Sequence, residues 1–172
     1  MGFTQAGRGS ISLNAASAPP EPLGFRVTLE DTTYGTRDFR LMLAAATVAV
    51  TSGVCIPPAS QTATWKFTNV ITNVDTVIAP VGLAIGAITT AQYGYLQTGG
   101  LHTACPVASV DTTAFSGRSI CVAKNTTGLG IAGTPANSAA AVGEAAAKIG
   151  YCTAAPAATG IVLSVVITGC GN

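Results

Sequence analysis

Residues 81–107 read V-G-L-A-I-G-A-I-T-T-A-Q-Y-G-Y-L-Q-T-G-G-L-H-T-A-C-P-V, and the reading of this stretch decides the fold. Val81, Leu83 and Ile85 alternate with smaller residues, Tyr93 and Tyr95 do the same, and Leu96 changes the phase. Such a spacing puts side chains on one face of a β-strand. Gly82, Gly86 and Gly94 fall between them, where a bulge or the close approach of another backbone needs no side chain. Thr98-Gly99-Gly100 supplies a hairpin turn, because glycine tolerates the positive φ that tight turns require. Cys105 to Ala108 is then the return strand. Ile78 to Val107 is therefore expected as a central β-meander around which the other strands pack.

Outward from this centre the pattern stays β. Thr62 to Thr72 is a strand with Trp65, Phe67 and Val70 inward and Lys66 and Thr68 outward. Short strands are expected near 46–50 and 53–56, then over Arg118 to Ala123, Ile149 to Ala154 and Ile161 to Thr168. The last of these is apolar enough to be a central strand. Asn125 to Ala136 is turn-rich. Ser138 to Lys148 has room for one short helix, although Gly143 and the lack of large apolar anchors leave it little to dock with. The expected fold is all-β: a single compact barrel or sandwich (β-tulip-like) of about nine to eleven strands over residues 23–172. Residues 1–22, rich in Gly, Ser, Ala and Pro, form an extended or flexible N-terminal arm outside it. That arm reads equally as a disordered tail or as a segment that orders against a partner.

Charge is concentrated in one place. Glu21, Arg26, Glu30, Asp31, Arg37, Asp38 and Arg40 are seven of the chain's fifteen charged side chains. Phe25, Val27 and Leu29 alternate with Arg26, Thr28 and Glu30, which makes a half-exposed strand. Asp31-Thr32-Thr33-Tyr34-Gly35 is a turn. Thr36 to Leu43 follows as a second strand, with Arg37, Phe39 and Leu41 on one face and Asp38, Arg40 and Met42 on the other. One reading is a solvated hairpin whose cross-strand pairs contribute about 0.2–1 kcal/mol each. The other, favoured because so little charge stands elsewhere, is a contact patch specified by complementary charge. Its residues are Phe25, Arg26, Glu30, Asp31, Tyr34, Arg37, Asp38 and Arg40.

The totals narrow the function. A chain of 172 residues suits one domain plus an arm and needs no metal or disulfide to fold. Charged residues are only 9%, against about 25% in an ordinary soluble domain, so much of this surface is expected to lie against neighbours. A net charge of +1 argues against nucleic-acid binding, which needs clustered Lys and Arg. The five cysteines lack any C-x-x-C and read as small buried apolar side chains in a protein made in a reducing compartment. Residues 1–20 lack the apolar stretch of a signal peptide, and Ala6 stands where a myristoylation site wants Ser or Thr. Leu41 to Val50 is broken by Thr51-Ser52-Gly53 and Pro57-Pro58, short of the roughly 20 apolar residues that span a bilayer. No membrane partner is expected.

Catalytic motifs fail on context. Gly128-Leu129-Gly130-Ile131-Ala132-Gly133 matches G-x-G-x-x-G as a string. Pro135 and the absence of βαβ alternation make it a glycine-rich turn instead. His102 and Cys105 offer two metal-ligand types with no second pair at ligand spacing, and His102, beside the expected hairpin turn, is assigned to the surface. A triad drawn from His102, Asp111 and a serine lacks a G-x-S-x-G elbow. Neither an enzyme nor a cofactor is expected.

The ordered set Leu29-Glu30-Asp31, Tyr34-Gly35-Thr36-Arg37, Gly82-Leu83-Ala84 and Gln92-Tyr93-Gly94-Tyr95-Leu96-Gln97-Thr98-Gly99-Gly100 continues with Val122-Ala123, Lys148-Ile149-Gly150-Tyr151-Cys152-Thr153-Ala154 and a final hydrophobic strand. Over residues 25–168 this resembles the small head decoration, or cement, proteins of tailed bacteriophages and related capsid-associated structural proteins. The resemblance implies a β-barrel-like domain with an arm, made in the host cytoplasm and placed on the outer capsid surface of the virion. It implies the major capsid protein and copies of itself, as trimers, for partners. A receptor- or carbohydrate-binding module of a head fibre or tail spike is the alternative. Such a module should expose aromatic side chains around a pocket, and this chain has ten aromatic residues, with Trp65 assigned to the core.

Overall fold

Strand β8 runs from Tyr93 to Val110 without interruption, where the sequence reading placed a turn and a return strand. The computed structural model describes residues 2–5, 8–48, 54–55, 65–68, 80–110, 119–122, 130–132, 148–153, 162–168 and 170. At Gly99-Gly100 the chain of β8 changes neighbours instead of reversing. Before the glycines it pairs antiparallel with β4 (Gly35–Ala44), from Leu43↔Tyr93 to Asp38↔Gly99. Its other edge there pairs with β7 (Gly82–Ala84). After the glycines it pairs with β12 (Val162–Ile167), from Ile167↔Gly100 to Val162↔Pro106. Asp38 faces Gly99 while Phe39 faces Gln97, so Thr98 is the extra residue of a bulge. Gly100 sits at φ +80°, and a Cβ there would collide with the Thr36 carbonyl. The positive φ expected from the sequence is present. Tertiary pairing turns it into a kink.

Strand β3 (Arg26–Asp31) and β4 form the expected hairpin, in register from Arg26↔Arg40 to Asp31↔Gly35. Asp31 Oδ1 accepts the backbone N–H groups of Thr33 at 2.8 Å and Tyr34 at 3.1 Å, which closes the turn. Gly35 at φ +69° completes it. Beyond β3, on the same edge of β4, β6 (Lys66–Phe67) pairs in parallel with Leu43 and Ala44, and β5 (Val54–Cys55) pairs with β7.

The C-terminal strands close on the other half of β8. Strand β9 (Ser119–Val122) pairs with β10 (Gly130–Ala132) and with β11 (Lys148–Cys152), and β11 pairs with β12. Strand β10 then returns to Val107–Val110 of β8 in parallel. Part of the glycine-rich 128–133 run is therefore strand, not turn, because backbone pairing on both sides of β10 requires no side chain. All described elements are strands and none is a helix. Residues 138–147 of the expected helix lie outside the described residues, and Lys148 opens β11. Val50 and Val70 also lie outside them.

Two hydrophobic clusters lie on opposite sides of the β4–β8 pair. Phe39, Leu41 and Tyr95 pack with Leu13, Val27 and Leu29. Met42, Ala44 and Leu96 pack with Val48, Cys55, Phe67 and Ile88. This explains why Leu96 breaks the alternation: both faces of the pair are covered, so neither phase needs to be polar. It also corrects the orientation of Thr68, which is buried, and of Trp65, which is half-buried at φ +73°.

The arm is partly integral to the domain. Strands β1 (Gly2–Gln5) and β2 (Arg8–Ser12) form a hairpin of their own. Leu13 is 8% exposed in the core, a burial that contributes about 1.5–3 kcal/mol. Ala16 and Tyr93 exchange backbone hydrogen bonds of 2.9 and 2.8 Å. Residues 13–16 thus dock on β8, where all of 1–22 was expected outside the domain.

Candidate functional site

The β-ladder sorts the charged hairpin onto two faces. Arg26, Thr28, Glu30, Thr36, Asp38 and Arg40 share the outer face, while Asp31 and Arg37 share the core side with Val27, Leu29 and Phe39. On the core side Arg37 Nη2 donates to Asp31 Oδ2 at 2.7 Å, with both side chains close to nine-tenths covered. The Arg37 guanidinium lies 5.2 Å from the Tyr34 ring centre and 5.5 Å from that of Phe39. The Thr33 amide first, with Tyr34 and Arg37 adding to it, holds the Asp31 carboxyl below its ordinary range. This is a rigid turn.

On the outer face Thr28 donates its hydroxyl to Asp38 at 2.6 Å and Thr36 donates to Glu30 at 2.8 Å. Arg26, Glu30 and Asp38 are exposed, whereas Arg40 is 5% exposed. Its guanidinium carbon stands 4.8 Å over the centre of the Trp65 ring. Phe25 is half-buried against the core cluster. The eight patch residues are therefore not one surface.

Each face borders a hollow. A cleft of about 570 Å³ is lined on the core side by Tyr34, Arg37, Tyr95, His102, Asn14 and the 84–88 loop. A groove of about 400 Å³ on the outer face is lined by Arg26, Asp38 and Arg40, with Thr98, Gly100 and Thr168 across from them.

His102 is buried, not on the surface as the expected hairpin would have it, because β8 continues past Gly100 under β12. Gln97, fully buried, donates to the carbonyls of Gly99 at 3.0 Å and Leu101 at 2.9 Å. With both amide hydrogens engaged, its Oε1 accepts from His102 Nδ1 at 3.0 Å, which fixes the imidazole as the Nδ1–H tautomer. Burial, followed by the charge of Arg37, lowers the His102 pKa from 6.5 to about 4. Gln97 and His102 thus hold the kink of β8 with neutral groups. The polar residues of Q-T-G-G-L-H inside an apolar strand were the available signal for this unit, and the hairpin reading hid it.

No family model matches the chain, and no curated protein or solved structure does. The reading of the site therefore rests on its own chemistry. His102 and Cys105 lie opposite Val165 and Leu163 across a bulge in β8, which sets both on one side of the ladder despite their three-residue spacing. Cys55, Cys105, Cys152 and Cys170 are buried and unbridged. Burial pushes the Cys105 and Cys170 thiols up to about 12, far from a reactive thiolate. Among the described residues no three His, Cys, Asp or Glu side chains gather as metal ligands.

Proposed function

We propose that the chain is a structural virion protein that binds the outer surface of a phage capsid and reinforces it by bridging capsomers. Its partners in this reading are the major capsid protein and, as a trimer, copies of itself. The observation that carries it is the outer face of β3. That strand ends the described sheet order, and it presents Arg26, Thr28 and Glu30 alternately outward from a turn locked by the Asp31–Arg37 pair. A rigid strand with ordered charges sets register on a partner, which is how charge complementarity confers specificity. Three such contacts in a trimer attach durably through effective concentration. A carbohydrate-binding module is less well supported. The Tyr34 ring at the core-side cleft carries the Arg37 guanidinium on its face, where a sugar would stack.

Cosedimentation tests the reading, with capsids of the phage that encodes the chain assembled in its absence. Exchanging charge at two exposed positions, Arg26→Glu with Glu30→Lys, should leave a folded oligomer that attaches at least about tenfold more weakly, the scale of like-charge juxtaposition on a partner. Removing residues 1–12, which spares Leu13 and Ala16, should weaken attachment while the core still folds. Capsids that fail to retain the unaltered chain would overturn the proposal.

A further inference from the structure

We infer that the core-side cleft is a binding site for an uncharged, largely apolar molecule that presents one hydrogen-bond donor, an O–H or N–H, to His102 Nε2. His102 is 6% exposed and lines that cleft. Its two ring nitrogens stand in different situations. Nδ1 carries the proton and gives it to Gln97 at 3.0 Å. Nε2 therefore holds a lone pair, and no protein group donates to it. Nor is this nitrogen closed off from solvent: it opens on the cleft. Burial keeps the ring neutral, with a pKa of about 4, so the lone pair is present at neutral pH. An acceptor on a nearly buried side chain that no protein group satisfies is costly until something else completes it.

The backbone of β8 supplies an independent sign. The strand is bulged on both sides of His102, at Thr98 against β4 and between His102 and Cys105 against β12. A bulge re-aims the side chains beside it, and bulges gather next to binding sites. The Gln97 amide spends both its hydrogens on the Gly99 and Leu101 carbonyls, which leaves only its oxygen for the ring. Three hydrogen bonds thus enforce the tautomer, and with it the lone pair on the side of the cleft.

The lining chooses the ligand. Leu13, Ala84, Ile85, Ala87 and Ile88 give the cleft apolar walls. Its 570 Å³ falls within the roughly 300–1,000 Å³ of small-molecule sites. Arg37 is the one charged residue of the lining among the described residues, and its guanidinium is paired with Asp31 at 2.7 Å. A carboxylate would bring no hydrogen for Nε2, and an ammonium would have to sit near that guanidinium. A sugar would leave most of its hydroxyls against aliphatic walls. One uncharged donor on an apolar body meets every condition. Such binding is independent of attachment to capsids.

The chain has a single histidine, so the full chain labelled with ¹⁵N-histidine gives one Nδ1 and one Nε2 resonance. Phenol is the probe, and anisole, the same body with its O–H methylated, is the control. Phenol should move the Nε2 resonance saturably upfield, as a bare ring nitrogen moves on accepting a hydrogen bond, while Nδ1 keeps its proton. Phenol protons should show nuclear Overhauser contacts to the methyl groups of Ile85 or Ile88. Anisole should bind about fivefold more weakly, the scale of one lost hydrogen bond. His102→Gln takes away the lone pair and should bring phenol down to the anisole affinity. The comparison of phenol with anisole needs only the unaltered chain, so it decides the matter even where His102→Gln fails to fold. Equal affinity for phenol and anisole, a linear response of Nε2, or contacts to no residue of the cleft would mean that Nε2 meets only water, and would overturn the site.

Discussion

The β3–β4 hairpin and the 97–102 segment of β8 both carry polar side chains, and they treat them in opposite ways. On the hairpin's outer face Thr28 meets Asp38 and Thr36 meets Glu30 across the ladder, with water close by. In β8 the amide of Gln97 and the imidazole of His102 are buried, neutral and mutually satisfied. Water can replace a lost partner in the first place and cannot in the second. A buried polar network is therefore stabilising only when complete, while exposed pairs contribute little each. The difference separates the element that presents charge from the element that holds the fold.

Two glycines of similar conformation put this contrast to the largest test. Gly35 in the hairpin turn has φ +69° and open space around a would-be Cβ, while Gly100 at φ +80° faces the Thr36 carbonyl. Gly35→Ala should cost only the left-handed backbone term, about 1 kcal/mol. Gly100→Ala adds a backbone collision inside the kink and should cost about 3 kcal/mol or more. Urea unfolding of the two variants measures both. Equal losses would mean that the kink is no more constrained than the turn.

Lowering the pH sharpens the same comparison. The His102 pKa is about 4 in the folded chain and 6.5 when unperturbed. Between these values the unfolded chain takes up a proton that the folded chain refuses. The stabilisation is complete above pH 6.5 and is lost as pH falls toward 4. Its full size is on the order of 3 kcal/mol. Unfolding free energy should therefore drop between pH 7 and about 5, before most carboxylates titrate. His102→Gln should flatten that slope. A slope unchanged by the substitution would place the titrating group elsewhere.

Local patterns were legible in the sequence, and long-range pairings were not. Alternation at Phe25–Leu29 and Arg37–Leu43 gave β3 and β4, and the Asp31 turn followed from its own side-chain chemistry. Apolar runs gave β9, β11 and β12 nearly to their ends. The Gly99-Gly100 pair was misread because glycine signals only a permitted φ. Whether the chain then reverses or bends depends on β4 and β12, which lie more than fifty residues away on either side. Burial of His102 depends on that same choice. The charged patch was visible as composition, but its division into two faces, with Arg40 withdrawn onto Trp65, needed the ladder register and the left-handed Trp65.

The smallest expected effect belongs to the pair Thr28 and Asp38. Their hydrogen bond is short, 2.6 Å, and involves a carboxylate, which in a buried site would make it a strong one. Both residues are exposed, however, so water can hydrate Asp38 once the hydroxyl is gone. Valine also keeps the β-branched shape that an exposed strand position favours. Thr28→Val should thus change stability by no more than about 0.5 kcal/mol. A double-mutant cycle with Asp38→Asn should give a coupling of similar size. A coupling above about 1.5 kcal/mol would show that this face is dry and that the contrast with β8 is false.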